Sequence, residues 1–379
     1  LNNVWARGYA AINSANILIS QLQNSTVISS SLAQQYIGEA KFIRAFSYLV
    51  LVQTFAQPYT KDNGASPGLP LRLAAETSEG NNDLSRSTVA EIYAQIIQDL
   101  DDAEAVLPES HGSNTLNSSR AHKATSIALK TRVYLVKGEF ANVVTEAKKL
   151  VPDASPYVYV GINITHRLEG SISSVFNGSY TGPESIFSLP FNAVDAPDVQ
   201  SSLAATYYGA VVLALNPAGI VSNPVLSDSS SLDARQDLIA HKNNQSVLAK
   251  FTKAAVPYTD YIPVIRYAEV LLNYAEAAAE TNDLAKASEL LIAVRRRSDP
   301  SFVFPPDVLA SQALLIDAIL TERRIELLGE GFRTPDLQRR VQTLPAKSGA
   351  AGTAPAVDPA AGNYIWPLPS DEISTNKLL

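Results

Sequence analysis

The chain has no cysteine and no methionine, and only two tryptophans and four histidines among its 379 residues. Without cysteine there are no disulfides, no thiolate metal sites and no thiol nucleophile. The compartment stays open, because a chain of this size can build its core without covalent staples. Methionine is an ordinary core filler, so its absence from a helical sequence is unusual. No apolar run is long enough to span a bilayer. The longest, Phe46 to Phe55, is interrupted by Gln53 and reads as a buried helix. Lysine and arginine form no cluster that could follow a phosphate backbone, and the net charge is −7, so no nucleic-acid partner is expected. His111, His122, His166 and His241 are scattered, and neither H-E-x-x-H nor a phosphate-binding glycine motif occurs. No metal and no cofactor is expected.

What is present reads as a folded, mostly helical protein: 46% of residues are apolar and 18% charged. Trp5, Tyr9, Ile12, Ile17 and Leu22 recur near helical period, and Asn24-Ser25 supplies a break. A second helix is expected from about Ser31 to Phe55, with Tyr36, Phe42, Phe46, Leu49 and Val50 on one apolar face and Glu39, Lys41 and Arg44 at a charged edge. Residues 56–86 form a long polar loop. Thr88, with Glu91 three residues on, then caps a helix running from Val89 to about Leu107. Two helix pairs follow. One spans Ala121–Val136 and Phe140–Leu150, hinged at Lys137-Gly138-Glu139; the other spans 264–281 and 284–297, hinged at Thr281-Asn282-Asp283. Each pair has the size of a tetratricopeptide unit, about 34 residues. Residues 153–260 carry only short β-prone runs broken by Gly, Pro, Asn and Ser, and read as an irregular, partly β insert of the kind used for recognition.

Two strings invite a catalytic reading and neither sustains it. Gly64-Ala65-Ser66-Pro67-Gly68 spells G-x-S-x-G but lacks the preceding hydrophobic strand that a nucleophile elbow needs. Glu322, Glu326 and Glu330 share a helix face and could suggest a glycosidase carboxylate pair. Arg323, Arg324 and Arg333 lie close in sequence, however, and neighbouring arginines lower carboxylate pKa values where a catalytic acid needs a raised one. The expected role is a structural ion-pair network, with Asp336 and Arg340 as further members and Gly331 permitting the exit from the helix.

Three motifs carry a resemblance. Arg266-Tyr267-Ala268-Glu269 opens one helix. Glu322-Arg323-Arg324, Glu326-Leu327, Glu330-Gly331, Arg333, Asp336-Leu337 and Arg340 follow in order, and Pro367-Leu368-Pro369 with Glu372-Ile373 closes the chain. Together with Glu39-Ala40-Lys41-Phe42-Ile43-Arg44-Ala45 near the start, they resemble the SusD/RagB family of nutrient-capturing lipoproteins of the Bacteroidetes outer membrane. The resemblance implies one domain over 1–379, a tetratricopeptide-like scaffold: helical repeats in 1–152, the recognition insert in 153–260, further repeats in 261–340 and a closing segment in 341–379. It also implies a non-enzymatic protein on the extracellular face of the outer membrane. Such a protein captures an oligosaccharide, or another nutrient such as a peptide, for import through a TonB-dependent SusC-like transporter. The chain starts at Leu1 without a signal peptide, so a longer precursor with an upstream lipidated cysteine is expected as its only tie to the membrane.

Sugar recognition needs aromatic faces, each worth about 0.5–1.5 kcal/mol by analogy with aromatic pairs, whereas millimolar affinity needs about 4 kcal/mol. Several platforms must therefore act together. Both Trp5 and Trp366 fall inside structural motifs of the family and are expected in the core, which leaves the tyrosines. The expected ligand-binding residues are Tyr59 and Asn63, in a loop that contributes to ligand sites in the resembled family, and Tyr180, Tyr207 and Tyr208 in the insert. The absence of a loop tryptophan departs from the starch-binding relatives and leaves other glycans or peptides open. Two alternatives stand beside this reading: a helical-repeat adaptor with a peptide in its groove, and a glycoside hydrolase using the Glu322–Glu330 helix.

Overall fold

The computed structural model describes residues 2–78, 80, 82–349 and 352–379. The chain is mostly α-helical and forms two compact units. The first comprises Leu1–Glu109, Ala121–Glu139 and Thr334–Leu379; the second comprises Ser110–Arg120 and Phe140–Arg333.

In the first unit the Ser30–Phe55 helix lies between the Asn2–Leu22 and Val89–Val106 helices, and the last of these also packs on the Lys123–Lys137 helix. The starts follow capping chemistry. Ser29 accepts from the Leu32 amide, and Thr88 and Glu91 form the expected capping box. Phe42, Tyr48, Leu51 and Phe55 fill one side of this core and Ile92, Ile96 and Leu100 the other. Burying each such side chain contributes about 1.5–3 kcal/mol. Helices on both sides take Arg44 out of the charged edge expected for Ser30–Phe55, while Glu39 and Lys41 stay half-buried. Arg44 is buried, and its guanidinium donates to both carboxylate oxygens of Asp99 at 2.8 and 2.6 Å. The 56–86 loop holds one helical turn, Tyr59–Asp62, and a strand, Pro67–Pro70, that pairs with Arg86–Thr88.

In the second unit Tyr267–Glu280 and Leu284–Ser298 form a helical hairpin. Asn282 takes a left-handed φ of 66° in its turn and Asp283 caps the second helix. Tyr267–Glu280 also packs on Phe140–Ala147 and Gln312–Glu326. Its start lies later than expected. Residues Ile262–Arg266 form a strand antiparallel to Ser185–Leu189, and the helix begins at Tyr267. Two hairpins, Tyr159–Gly161 with Ile164–His166 and Ile239–Lys242 with Gln245–Leu248, complete the short strands of the 153–260 region. Beneath it, Ile172, Val175, Phe176, Leu238, Leu248 and Phe251 make a local core. No helix among the described residues is long and apolar enough to cross a membrane.

Candidate ligand-binding site

The Gln312–Glu326 helix and the turn after it aim Glu322, Glu326 and Glu330 into the second unit. Arg235 donates to Glu322 at 2.5 Å, to Glu326 at 3.1 Å and to Asp233 at 2.7 Å. Arg266 donates to Glu184 at 2.6 Å and to Glu326 and Glu330 at 2.7 Å each, while Arg297 reaches Glu184 at 3.0 Å and Glu326 at 2.5 Å. Lys250 donates to Glu330 at 2.6 Å, and Arg295 lies 3.4 Å from both Asp233 and Glu322. These five cations and five carboxylates balance in formal charge, and every side chain among them is at most 3% exposed. Burial alone would raise Glu326 and Glu330, but the arginines outweigh it and hold both below the usual carboxylate range. Neither has the raised pKa that a glycosidase acid needs. The cations differ from those expected by proximity in sequence. Arg323 instead donates to Asn273 at 2.7 Å, and Asp336, in the first unit, takes Arg339 at 2.9 Å.

The five residues expected to bind ligand fall in both units. In the first, the Tyr59 ring stands edge-on to Tyr93 with Lys137 4.9 Å above it, and Asn63 is an exposed left-handed cap of the Tyr59–Asp62 turn. In the second, Tyr180 is half-buried against Tyr261, Tyr207 rests on the local core, and Lys242 sits 3.2 Å over the Tyr208 ring. The tryptophans divide. Trp5 is 4% exposed, as expected of a core residue, whereas Trp366 is 48% exposed and meets Phe55 in a T-shaped contact with ring centroids 6.2 Å apart.

Two clefts of similar size differ in what their polar groups do. The first unit's cleft, about 320 Å³, lies among the Asn2–Leu22 helix, residues 72–76 and the Ser370–Thr375 turn. Its polar groups bond to one another: Arg72 to Glu76 at 2.5 Å, Trp5 to Glu372 at 3.1 Å, Asn2 to Asp371 at 2.8 Å, and Asn13 and Asn16 to backbone carbonyls. The second unit's cleft, about 310 Å³, is lined by Asn114, Asn117 and Ser118, by Gly161 and Asn163 to His166, and by Thr181 to Pro183 with Ser185.

This second cleft is built by a hairpin whose alternation buries Ile164 and His166 and turns Thr165 outward. Asn163 takes the left-handed turn position, φ 56°, which Asn tolerates. Asn117 is a positioning residue: it accepts from the His111 amide at 2.6 Å and donates to Ser110, whose hydroxyl reaches the Asn163 carbonyl at 3.2 Å. The side chains of Asn114, Ser118, Asn163 and Thr165 make no hydrogen bond to the described residues. His166 stacks on Tyr159 with centroids 6.0 Å apart, and burial pushes its pKa down to about 4, so it is neutral near pH 7. The lining therefore carries no formal charge there. None of the five expected residues lines either cleft.

Known proteins fit this picture. Residues 1–135 match a family described as starch-binding and associating with the outer membrane, and residues 240–379 match the SusD family. A SusD superfamily protein from Bacteroides fragilis is 31% identical, superposes with a TM-score of 0.87, and is matched over 99% of this chain and 83% of its own. The chain belongs to the SusD superfamily. SusD-like protein P2 of Formosa agariphila is 27% identical over 99% of this chain and 78% of its own length. A laminarin-binding SusD-like protein shares the fold, with a TM-score of 0.72 at 20% identity over the whole of this chain and 85% of that one.

Proposed function

We propose that this protein captures an oligosaccharide at the outer face of the outer membrane and hands it to a TonB-dependent transporter of SusC type. A lipid anchor holds it there, and it acts by reversible binding without chemistry. The cleft of the second unit carries the reading. Three exposed side chains without a hydrogen bond, Asn114, Asn163 and Thr165, line it in a family described as starch-binding and outer-membrane-associated. Amides and hydroxyls both donate and accept, which matches the alternating donors and acceptors of a sugar ring. The cleft sits at the small end of ligand pockets, about 300–1,000 Å³, so it holds a short stretch of chain rather than a whole polymer. Tyr59, Asn63, Tyr180, Tyr207 and Tyr208 are proposed as additional contacts outside it.

Isothermal titration against neutral oligosaccharides, acidic oligosaccharides and peptides tests the reading. At least one oligosaccharide is expected to bind, with peptides inert. A peptide that binds while every glycan fails would replace glycan capture with the adaptor alternative. Co-purification of a SusC-type transporter from outer-membrane extracts tests the partner.

A further inference from the structure

Resting on the glycan-capture reading, we infer that the second unit's cleft selects uncharged saccharide units and rejects those bearing uronate or sulfate. Its lining contains no Lys, Arg, Asp or Glu. The exposed groups without a hydrogen bond are the amides of Asn114 and Asn163 and the hydroxyl of Thr165; these and the buried Ser118 hydroxyl are all neutral. The fold removes the one carboxylate that the local sequence would deliver. Glu184 stands between the lining residues Pro183 and Ser185, yet it is 1% exposed and turned into the ion-pair network, held by Arg266 and Arg297.

Beyond the lining, the flanking residues Glu169 and Arg167 supply one charge of each sign. Glu169 overhangs Gly182: a Cβ built on that glycine would meet the Glu169 carboxylate. An anionic sugar on this side meets a like charge. Arg167, at the end of the hairpin, is exposed, and its guanidinium donates to the Leu168 carbonyl at 3.2 Å. A carboxylate or sulfate entering the cleft would lose water without gaining a buried cation, which is the costly case for a charge. A neutral hydroxyl exchanges water for the amides at little net cost. In the same hairpin Val160, which pairs with Thr165, and Ile162, in the turn, are 73% and 69% exposed and offer apolar surface to the C–H face of a ring.

The test is titration calorimetry on the full chain with neutral hexasaccharides (β-1,3-glucan, α-1,4-glucan, β-mannan and xylan), their sulfated forms, and oligouronates of the same length. A neutral hexasaccharide is expected to bind at least tenfold more tightly than its sulfated form, with affinity changing less than twofold between low and high salt. The double variant Asn114→Ala/Thr165→Ala should lower that affinity about tenfold at an unchanged melting temperature, since both side chains are exposed. A sulfated or uronate sugar that binds as tightly, or whose affinity falls steeply with salt, overturns the inference and leaves glycan capture standing. So does neutral binding that the double variant does not alter. Failure of every oligosaccharide, charged or not, overturns glycan capture and the inference together.

Discussion

Glu326 accepts from Arg235, Arg266 and Arg297 at a site closed to water, so each guanidinium depends on a carboxylate for its compensation. Such a network is weak evidence of net stability, yet breaking it from one side strands buried charge. Glu326→Ala is therefore expected to cost roughly 3–5 kcal/mol, read as a lower urea midpoint with an unchanged slope. His166 carries the opposite sign of pH dependence from a salt-bridged histidine. Its pKa is about 4 when folded, against roughly 6.5 in an unfolded chain. Between those values the unfolded chain binds the extra proton, so stability falls on acidification across that window, by roughly 3 kcal/mol in all. The depressed carboxylates Glu326 and Glu330 act lower: their contribution is present above the ordinary glutamate value and is lost as pH falls through their own. Denaturation of His166→Asn and the parent from pH 7 to 4 separates the two effects, because the variant should lose the slope between 6.5 and 4 alone.

At the scale of elements, the long helices were legible because their signals are local. Thr88 with Glu91, Asp283 in its turn and Gly138 in a left-handed cap lie where the sequence places them. Thr88→Ala removes the hydroxyl that accepts from the Glu91 amide at 3.2 Å, and should cost about 1 kcal/mol in chemical denaturation. The misreadings involve partners far along the chain. Pro263, Val264 and Ile265 continue the apolar pattern of the following helix, but they are drawn into a strand by Ser185–Leu189. The ion-pair network was legible as a network. Its partners were not, because Arg235 meets Glu322 across 87 residues of sequence, and proximity along a helix pointed to Arg323 and Arg324 instead.

At the scale of the whole molecule, the fold followed from a few ordered motifs, while the cleft left little trace. Its residues come from 114–118, 161–166 and 181–185, with no periodicity, and Asn, Ser and Thr are what any surface loop contains. Aromatic residues were the natural signal to seek for a sugar site. The structure instead distinguishes the cleft by hydrogen-bonding groups that the protein leaves open, whereas the equally large cleft of the first unit has bonded its own polar groups to one another. On the proposed function, a neutral oligosaccharide is held in the second unit's cleft. Calorimetric titration of one binding hexasaccharide into the parent, Asn114→Ala/Thr165→Ala and Tyr59→Ala/Asn63→Ala tests it most directly. About a tenfold loss is expected in the first variant and a smaller one in the second. Full affinity in the first variant with loss confined to the second would contradict it.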